Sequence, residues 1–99
     1  MSAILYPVNT EMQGSGMGAE GHADGTVGKA LDVLDMVAGH DRPVRFSDLL
    51  AQADYPKATL YRLLQTLTNQ GMLVLDPDQG TYALGVRLVR LAHAAWAQS

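Results

Sequence analysis

The sequence predicts a small domain that is mostly α-helical and contains one β-hairpin. Apolar residues recur at helical spacing in residues 27–38, 56–70 and 86–97. Two short β-prone runs, 72–75 and 81–84, flank five turn-forming residues, which is the pattern of a hairpin. The chain has 99 residues, of which 47% are hydrophobic and 17% charged, so it has enough apolar material for one core but not for two.

Composition excludes several classes of function. The chain contains no cysteine, which excludes a disulfide scaffold, a cysteine-ligated zinc site and a thiol nucleophile. His22, His40 and His93 share no ligand spacing, so we predict no metal site. We find no phosphate-binding loop, no Ser/His/Asp order and no paired carboxylates on a common face. We therefore predict no cofactor, no catalytic residues and no enzymatic activity.

Targeting signals are also weak. No stretch approaches the ~18–20 apolar residues of a membrane span. The apolar start of the chain breaks at Pro7, and no Lys or Arg precedes it, so it makes a poor secretory signal. These features predict a cytoplasmic protein with no membrane partner.

The chain divides near Thr26 in composition and charge. Residues 1–26 hold five of the ten glycines, three acidic residues and no basic residue. Glycine at this density makes ordering entropically costly, so we predict a flexible acidic tail. Residues 27–99 contain all seven basic residues and seven acidic ones, so the net charge of −3 belongs to the tail.

The first predicted helix covers residues 27–38. Thr26 is the expected N-cap, Gly39 lies just past the end, and Pro43 prevents continuation. One face of this helix carries the apolar set Val27, Ala30, Leu31, Leu34, Val37 and Ala38.

A short strand and two helices are expected next. Residues 44–46 are partly β-branched, and Ser47 is placed to cap a short helix over 48–53. Pro56 suits the first position of a longer helix that reaches Asn69 or Gln70, and Gly71 closes it. The buried face of that longer helix is predicted to be Leu60, Leu63, Leu64 and Leu67.

The last predicted helix, residues 86–97, is too apolar to be fully solvated, and no later element covers it. We expect its apolar side to pack against the same helix of a second chain in a homodimer. The alternative is packing onto the first helix of the same chain. The dimer contact would involve Leu88, Leu91, Ala95 and Trp96.

Two helices joined by a tight turn and followed by a hairpin predict a winged helix-turn-helix. Its order is helix, short strand, helix, recognition helix, two-stranded wing and linker helix. We place the domain at residues 27–85 and the linker helix at residues 86–99. The recognition helix, residues 56–70, holds two basic residues and no acidic one in a region with no net charge, which favours an approach to phosphates.

The exposed side of that helix carries residue types that recognise DNA. Arg62 and Gln65 are suited to base edges, and Lys57, Thr59 and Tyr61 to the phosphate backbone. Arg45 and Arg87 could reach phosphates, the alternatives being a solvated loop for Arg45 and pairing with wing aspartates for Arg87. The predicted DNA-binding set is Lys57, Ala58, Thr59, Tyr61, Arg62, Gln65, Thr66, Arg45 and Arg87. The acidic wing tip, residues 76–80, is better explained as a stable turn.

Three segments together resemble IclR-type transcriptional regulators. Residues 26–34 (TVGKALDVL) resemble the opening helix of that family, residues 56–67 (PKATLYRLLQTL) its recognition helix, and residues 80–88 (GTYALGVRL) the end of its wing. The resemblance implies a winged helix-turn-helix that binds operator DNA as a dimer, with Lys57, Thr59, Tyr61 and Arg62 at the DNA. It also implies a C-terminal domain for a small-molecule effector, and the chain stops before such a domain.

Two positions depart from the family pattern. Ala58 stands where the family often has Ser, so one phosphate donor is missing, and Tyr55 stands where an aliphatic residue is common. We predict sequence-specific binding of duplex DNA in transcriptional control. The alternative is a winged-helix module that serves only in dimerisation or partner docking, favoured by the absence of net charge and the acidic wing.

Overall fold

The computed structural model describes residues 25–99, and this part of the chain forms four helices and three short strands. In chain order these are α1 (Gly25–Ala38), β1 (Val44–Arg45), α2 (Phe46–Gln52), α3 (Lys57–Asn69), β2 (Leu73–Asp76), β3 (Thr81–Leu84) and α4 (Val86–Gln98). The predicted mostly helical, winged helix-turn-helix architecture is confirmed, with the hairpin β2–β3 as the wing.

The hydrophobic core lies where α1, α2 and α3 meet the sheet. Its most deeply buried side chains are Leu49, Leu60, Leu64, Leu73 and Val33, which come from four different elements. The core also takes in Val44 and Tyr82 from the outer and central strands. Helix α4 contributes no buried residue, although Leu88 packs partly against the core.

The three strands form an antiparallel sheet in the order β1-β3-β2. Tyr82 at the centre of β3 lies opposite Val44 on one side and Leu75 on the other. Strand β3 therefore joins the segment that enters α2 to the wing, so the wing and the helix-turn-helix belong to one folded unit.

The wing tip is a compact turn held by its own first residue. The Asp76 carboxylate accepts hydrogen bonds from the backbone N–H groups of Asp78 (2.9 Å) and Gln79 (3.3 Å). Gly80 has a φ of 67°, which residues with a side chain rarely adopt. These contacts support the interpretation of the acidic tip as a turn signal.

Three predicted helix starts were wrong by one or two residues. Helix α1 begins at Gly25, so Thr26 lies inside it and is not its N-cap. Arg45 is the N-cap of α2, because its pairing with Thr81 keeps it extended, and Ser47 therefore falls in the first turn. Pro56, with a ψ of 155°, precedes α3 instead of opening it.

The predicted tail falls almost entirely outside the described residues, since only Gly25 and Thr26 of its 26 residues are described. Among residues 25–99, no helix combines the length and the hydrophobicity needed to cross a membrane.

Candidate nucleic-acid interface

Helix α3 is fixed to the core along one face. Leu60, Leu63, Leu64 and Leu67 are all buried, as the helical spacing predicted. The helix ends where the Gln70 N–H bonds back to the Thr66 carbonyl, and Gly71 then turns the chain with a φ of 79°. Because one face is buried, the opposite face has a fixed orientation relative to the wing.

The opposite face of α3 is exposed and carries most of the predicted DNA-binding residues. The exposed members are Lys57, Ala58, Tyr61, Arg62, Gln65 and Thr66, whereas Thr59 is half-buried. No acidic residue lies in α3. Neither Arg62 nor Gln65 is buried under another part of the described chain, which leaves both side chains accessible to a ligand.

The wing side of α3 borders an apolar groove of about 700 Å³. The Tyr61 ring meets the Phe46 ring edge-on, with centroids 6.4 Å apart and an interplanar angle of 67°. Burial, and then the nearby Tyr61, raise the pKa of Tyr82 at the floor of the groove. The groove is lined by Phe46, Lys57, Ala58, Tyr61, Leu75, Gly80 and Tyr82.

The other side of α3 borders a second groove, of about 420 Å³, against α1. Thr59, Arg62 and Thr66 lie on this side together with Val27 and Leu31, two apolar residues of α1 that stay exposed. The helical spacing in the sequence placed Val27 and Leu31 on the buried face of α1, and this placement was wrong. Both lie toward one flank of α1, where the core does not reach.

The turn before α3 is held to α1 by Tyr55. The Tyr55 hydroxyl donates to Asp32 Oδ2 at 3.1 Å, and Lys29 Nζ lies 5.9 Å from the centre of the Tyr55 ring. Burial, the hydrogen bond to Asp32 and the charges of Asp32 and Asp54 raise the pKa of Tyr55 to about 12. The unusual Tyr55 therefore orients the turn that leads into α3, a role that its sequence position alone did not indicate.

The two outlying arginines of the predicted set each have a partner within the chain. Arg45 Nη1 donates to the Gln79 carbonyl at 3.1 Å, which ties β1 to the wing tip. Arg87 Nη1 donates to the backbone carbonyl and to the side-chain Oε1 of Gln70, both at 3.0 Å. Arg87 therefore contacts the end of α3, and pairing with Asp76 or Asp78 is not the contact that it makes.

The contact that His40 makes is structural. His40 Nε2 lies 2.9 Å from Gln52 Oε1, which links the end of α1 to the end of α2. Residues 25–99 contain no group of three or more side chains placed to hold a metal ion.

Comparison with known proteins shows which family this chain resembles. Residues 26–77 match the model of the IclR helix-turn-helix domain. The chain is 32% identical over 68 residues to the HTH-type transcriptional regulator XynR of Escherichia coli, covering 69% of this chain and 27% of that protein. It is 33% identical over 63 residues to the glycerol operon regulatory protein of Streptomyces coelicolor, covering 64% of this chain and 25% of that protein.

Solved structures of regulators also match the fold of this chain. The repressor BlcR of Agobacterium tumefaciens superposes with a TM-score of 0.64 at 30% identity, over 70% of this chain and 27% of that one. An IclR family regulator from Brucella abortus gives 0.63 at 28% identity, over 70% of this chain and 26% of that one. The chain thus spans about a quarter of the length of these relatives, which are regulators and not enzymes. A family model that covers the helix-turn-helix, together with a matching winged fold, identifies this chain as a member of the IclR family of transcriptional regulators that carries the family's DNA-binding domain.

Proposed function

We propose that this chain binds specific sites in duplex DNA to regulate transcription, with α3 in the major groove. A helix of this diameter fits the major groove of B-DNA, where base edges present distinct patterns of donors and acceptors. In helix-turn-helix proteins the second helix of the motif enters the groove, and α3 is that helix.

The observation that carries the proposal is the charge pattern of α3. Residues 25–99 have as many acidic as basic residues, yet the exposed face of α3 has Lys57 and Arg62 and no carboxylate. A carboxylate there would repel phosphates, so its absence favours close approach to DNA.

The chemistry of each predicted contact residue in α3 suggests its role at the DNA. Arg62 and Gln65 project from the face opposite the buried leucines, where they would contact a guanine and an adenine edge respectively. Lys57, Thr59 and Tyr61 would bind phosphates, while Ala58 and Thr66 would lie against the groove. Arg45 Nη1 bonds to Gln79, and a guanidinium has further N–H donors, which suits a phosphate contact beside the wing.

We further propose that two chains associate through α4. In the predicted contact set Leu88, Leu91, Ala95 and Trp96, the two large side chains Leu91 and Trp96 are 52% and 55% exposed in the single chain, and α4 has no buried residue. Packing of α4 onto α1 of the same chain would have covered them. A second α4 would cover this surface and bring two α3 helices to one operator with two-fold symmetry.

Selection from a random-sequence duplex pool tests DNA binding directly. We expect the full chain to enrich a sequence with two related half-sites, and we expect its affinity for that duplex to fall steeply with salt. Failure to enrich any sequence, with no binding at low salt, would contradict the proposal.

A partner-docking module is the second candidate function. It is favoured by the absence of net charge in residues 25–99 and by Asp76 and Asp78 at the wing tip, where a wing lying on phosphates usually carries Lys or Arg. The salt titration separates the two, because docking to a protein partner predicts no steep salt dependence.

A further inference from the structure

The junction between α3 and α4 is formed by residues that lie far apart in the sequence. Arg87 stands in the first turn of α4, and its Nη1 donates to both oxygens of Gln70 at the end of α3, 17 residues earlier. The α-helix leaves its last carbonyls without intrahelical partners and carries a partial negative charge there, so a guanidinium is well placed at this end.

Backbone contacts hold the same junction. The Gly85 N–H donates to the Met72 carbonyl at 2.8 Å, and the Arg87 N–H donates to the Gly71 carbonyl at 3.3 Å. Gly85 is buried, and a Cβ at that position would collide with the Gly71 carbonyl, so the two chain segments touch directly. Two residues at the start of α4, Gly85 and Arg87, are therefore bonded to the three consecutive residues that follow α3, residues 70–72.

We propose that Arg87 is a positioning residue that fixes the angle between the recognition helix α3 and the linker helix α4, and thereby sets the half-site spacing that the dimer accepts. The inference rests on the proposed function, because spacing has meaning only for a dimer on DNA. Its geometric basis is that α4 would carry the dimer contact while α3 would carry the base contacts. If the angle between α3 and α4 varied, the distance between the two α3 helices of the dimer would vary with it.

This role differs from the phosphate contact that the sequence predicted for Arg87. A phosphate contact adds to the number of counterions released, so its loss lowers the salt slope by about one unit. A positioning contact leaves the slope unchanged and alters which spacings are accepted. The two roles therefore separate in a single set of titrations.

The experiment measures binding of the full chain to duplexes that hold two selected half-sites, with the spacing changed one base pair at a time. For Arg87→Ala we expect the preference for the best spacing over spacings one base pair longer or shorter to fall at least threefold. Affinity for a single half-site should change less than twofold and the salt slope should not change. Arg90→Ala is the matched control, since it removes an exposed arginine of the same helix three residues on.

Two results on DNA would overturn the proposal. One is a salt slope lower by about one unit for Arg87→Ala, which would make the residue a phosphate contact. The other is a spacing preference that is unchanged, or that broadens equally in Arg90→Ala. Gln70→Ala, which removes Oε1 and keeps the backbone acceptor, should broaden the preference less than Arg87→Ala does.

A measurement without DNA distinguishes failure of this inference from failure of the proposed function. The chain has no cysteine, so Gln65→Cys and His93→Cys introduce the only two sites for nitroxide labels, one on α3 and one on α4. In labelled chain diluted with unlabelled chain, we expect a narrow distance distribution that becomes broader when Arg87→Ala is added. An equally narrow distribution would overturn the positioning role whether or not the chain binds DNA.

Discussion

Arg62 and Lys57 are both exposed on α3 but are expected to contribute differently to DNA binding. Arg62→Ala should weaken binding to the selected site by about 1–3 kcal/mol and relax the preference at one base position. The reason is that a guanidinium bonded to both acceptors of guanine discriminates against other bases. Fluorescence anisotropy with duplexes varied at each position checks this, and an equal loss on every sequence would make Arg62 a phosphate contact.

Lys57→Ala should weaken binding to all sequences alike. Its ammonium is a point charge at the start of α3, so its loss removes one phosphate contact and lowers the salt slope by about one unit. Titrations at four or more salt concentrations measure the slope. Arg90→Ala provides the comparison for loss of one positive charge, and a slope that does not differ from the unaltered chain would remove Lys57 from the contact set.

Tyr55 makes stability depend on pH in the alkaline range. Its pKa is raised from 10.0 to about 12, so the folded chain holds the phenolic proton more tightly than the unfolded chain does. The stability gained from this proton is fully present below pH 10 and is lost as the pH rises from 10 to 12. Tyr55→Phe should lose less stability over that interval and be less stable at neutral pH by about 0.5–1.5 kcal/mol.

Urea unfolding followed by circular dichroism between pH 8 and 12 measures this effect. Some loss should remain in Tyr55→Phe, because burial also raises the pKa of Tyr82. Tyr61→Phe is the control for loss of an exposed hydroxyl, since Tyr61 is 53% exposed, and it should reduce only the part of the pH dependence that comes from Tyr82. A pH dependence as steep in Tyr55→Phe as in the unaltered chain would contradict the assignment.

At the scale of elements, the boundary between β3 and α4 is closely packed at Gly85. Gly85→Ala places a Cβ against the Gly71 carbonyl, and neither backbone segment moves without disturbing α3 or β2. We expect a loss of about 1–3 kcal/mol in the free energy of unfolding. Gly39→Ala is the matched control, because its Cβ would lie 3.5 Å from the nearest atoms, an ordinary contact, and we expect little change. Similar unfolding midpoints for both variants would contradict the close approach at Gly85.

Helices and the hairpin were predictable from the sequence, because each depends on local spacing. The leucines of α3 repeat with the helical period, and Gly71 and Gly80 stand where the chain needs a positive φ. Helix starts were less predictable, because the side chains of Thr26 and Ser47 have the chemistry of caps without being used as caps. The pairing of Arg45 with Thr81, which is set by the sheet, decides where α2 begins.

The candidate interface was predictable in part for the same reason. The exposed face of α3 follows directly from its period, so Arg62 and Gln65 were found on the correct side of the helix. The contacts of Arg45 with Gln79 and of Arg87 with Gln70 span 34 and 17 residues, and no local pattern predicts them. The same holds for the bond from Tyr55 to Asp32, which depends on how the turn packs against α1.

For the whole molecule, the exposed apolar side of α4 should determine the oligomeric state. Leu91→Glu should convert a dimer to a monomer, because a carboxylate would be buried without a partner at the contact. Sedimentation velocity over a range of concentrations checks the expected change, with circular dichroism to confirm that the fold is kept. Ala97→Glu adds the same charge about 180° around α4 from Leu88 and should leave the dimer intact. A chain that is monomeric before any substitution would rule out this contact.

The strand order has a consequence for how the chain is made. The central strand β3 is the last of the three to leave the ribosome, and it separates two strands that do not pair with each other. Until β3 has left the ribosome, β1 and β2 both lack the strand that pairs with them in the described part of the chain, although α3 precedes β3 in the sequence. A chain that ends at residue 80 and has been released from the ribosome should therefore be degraded by proteases much faster than a released chain that ends after α4.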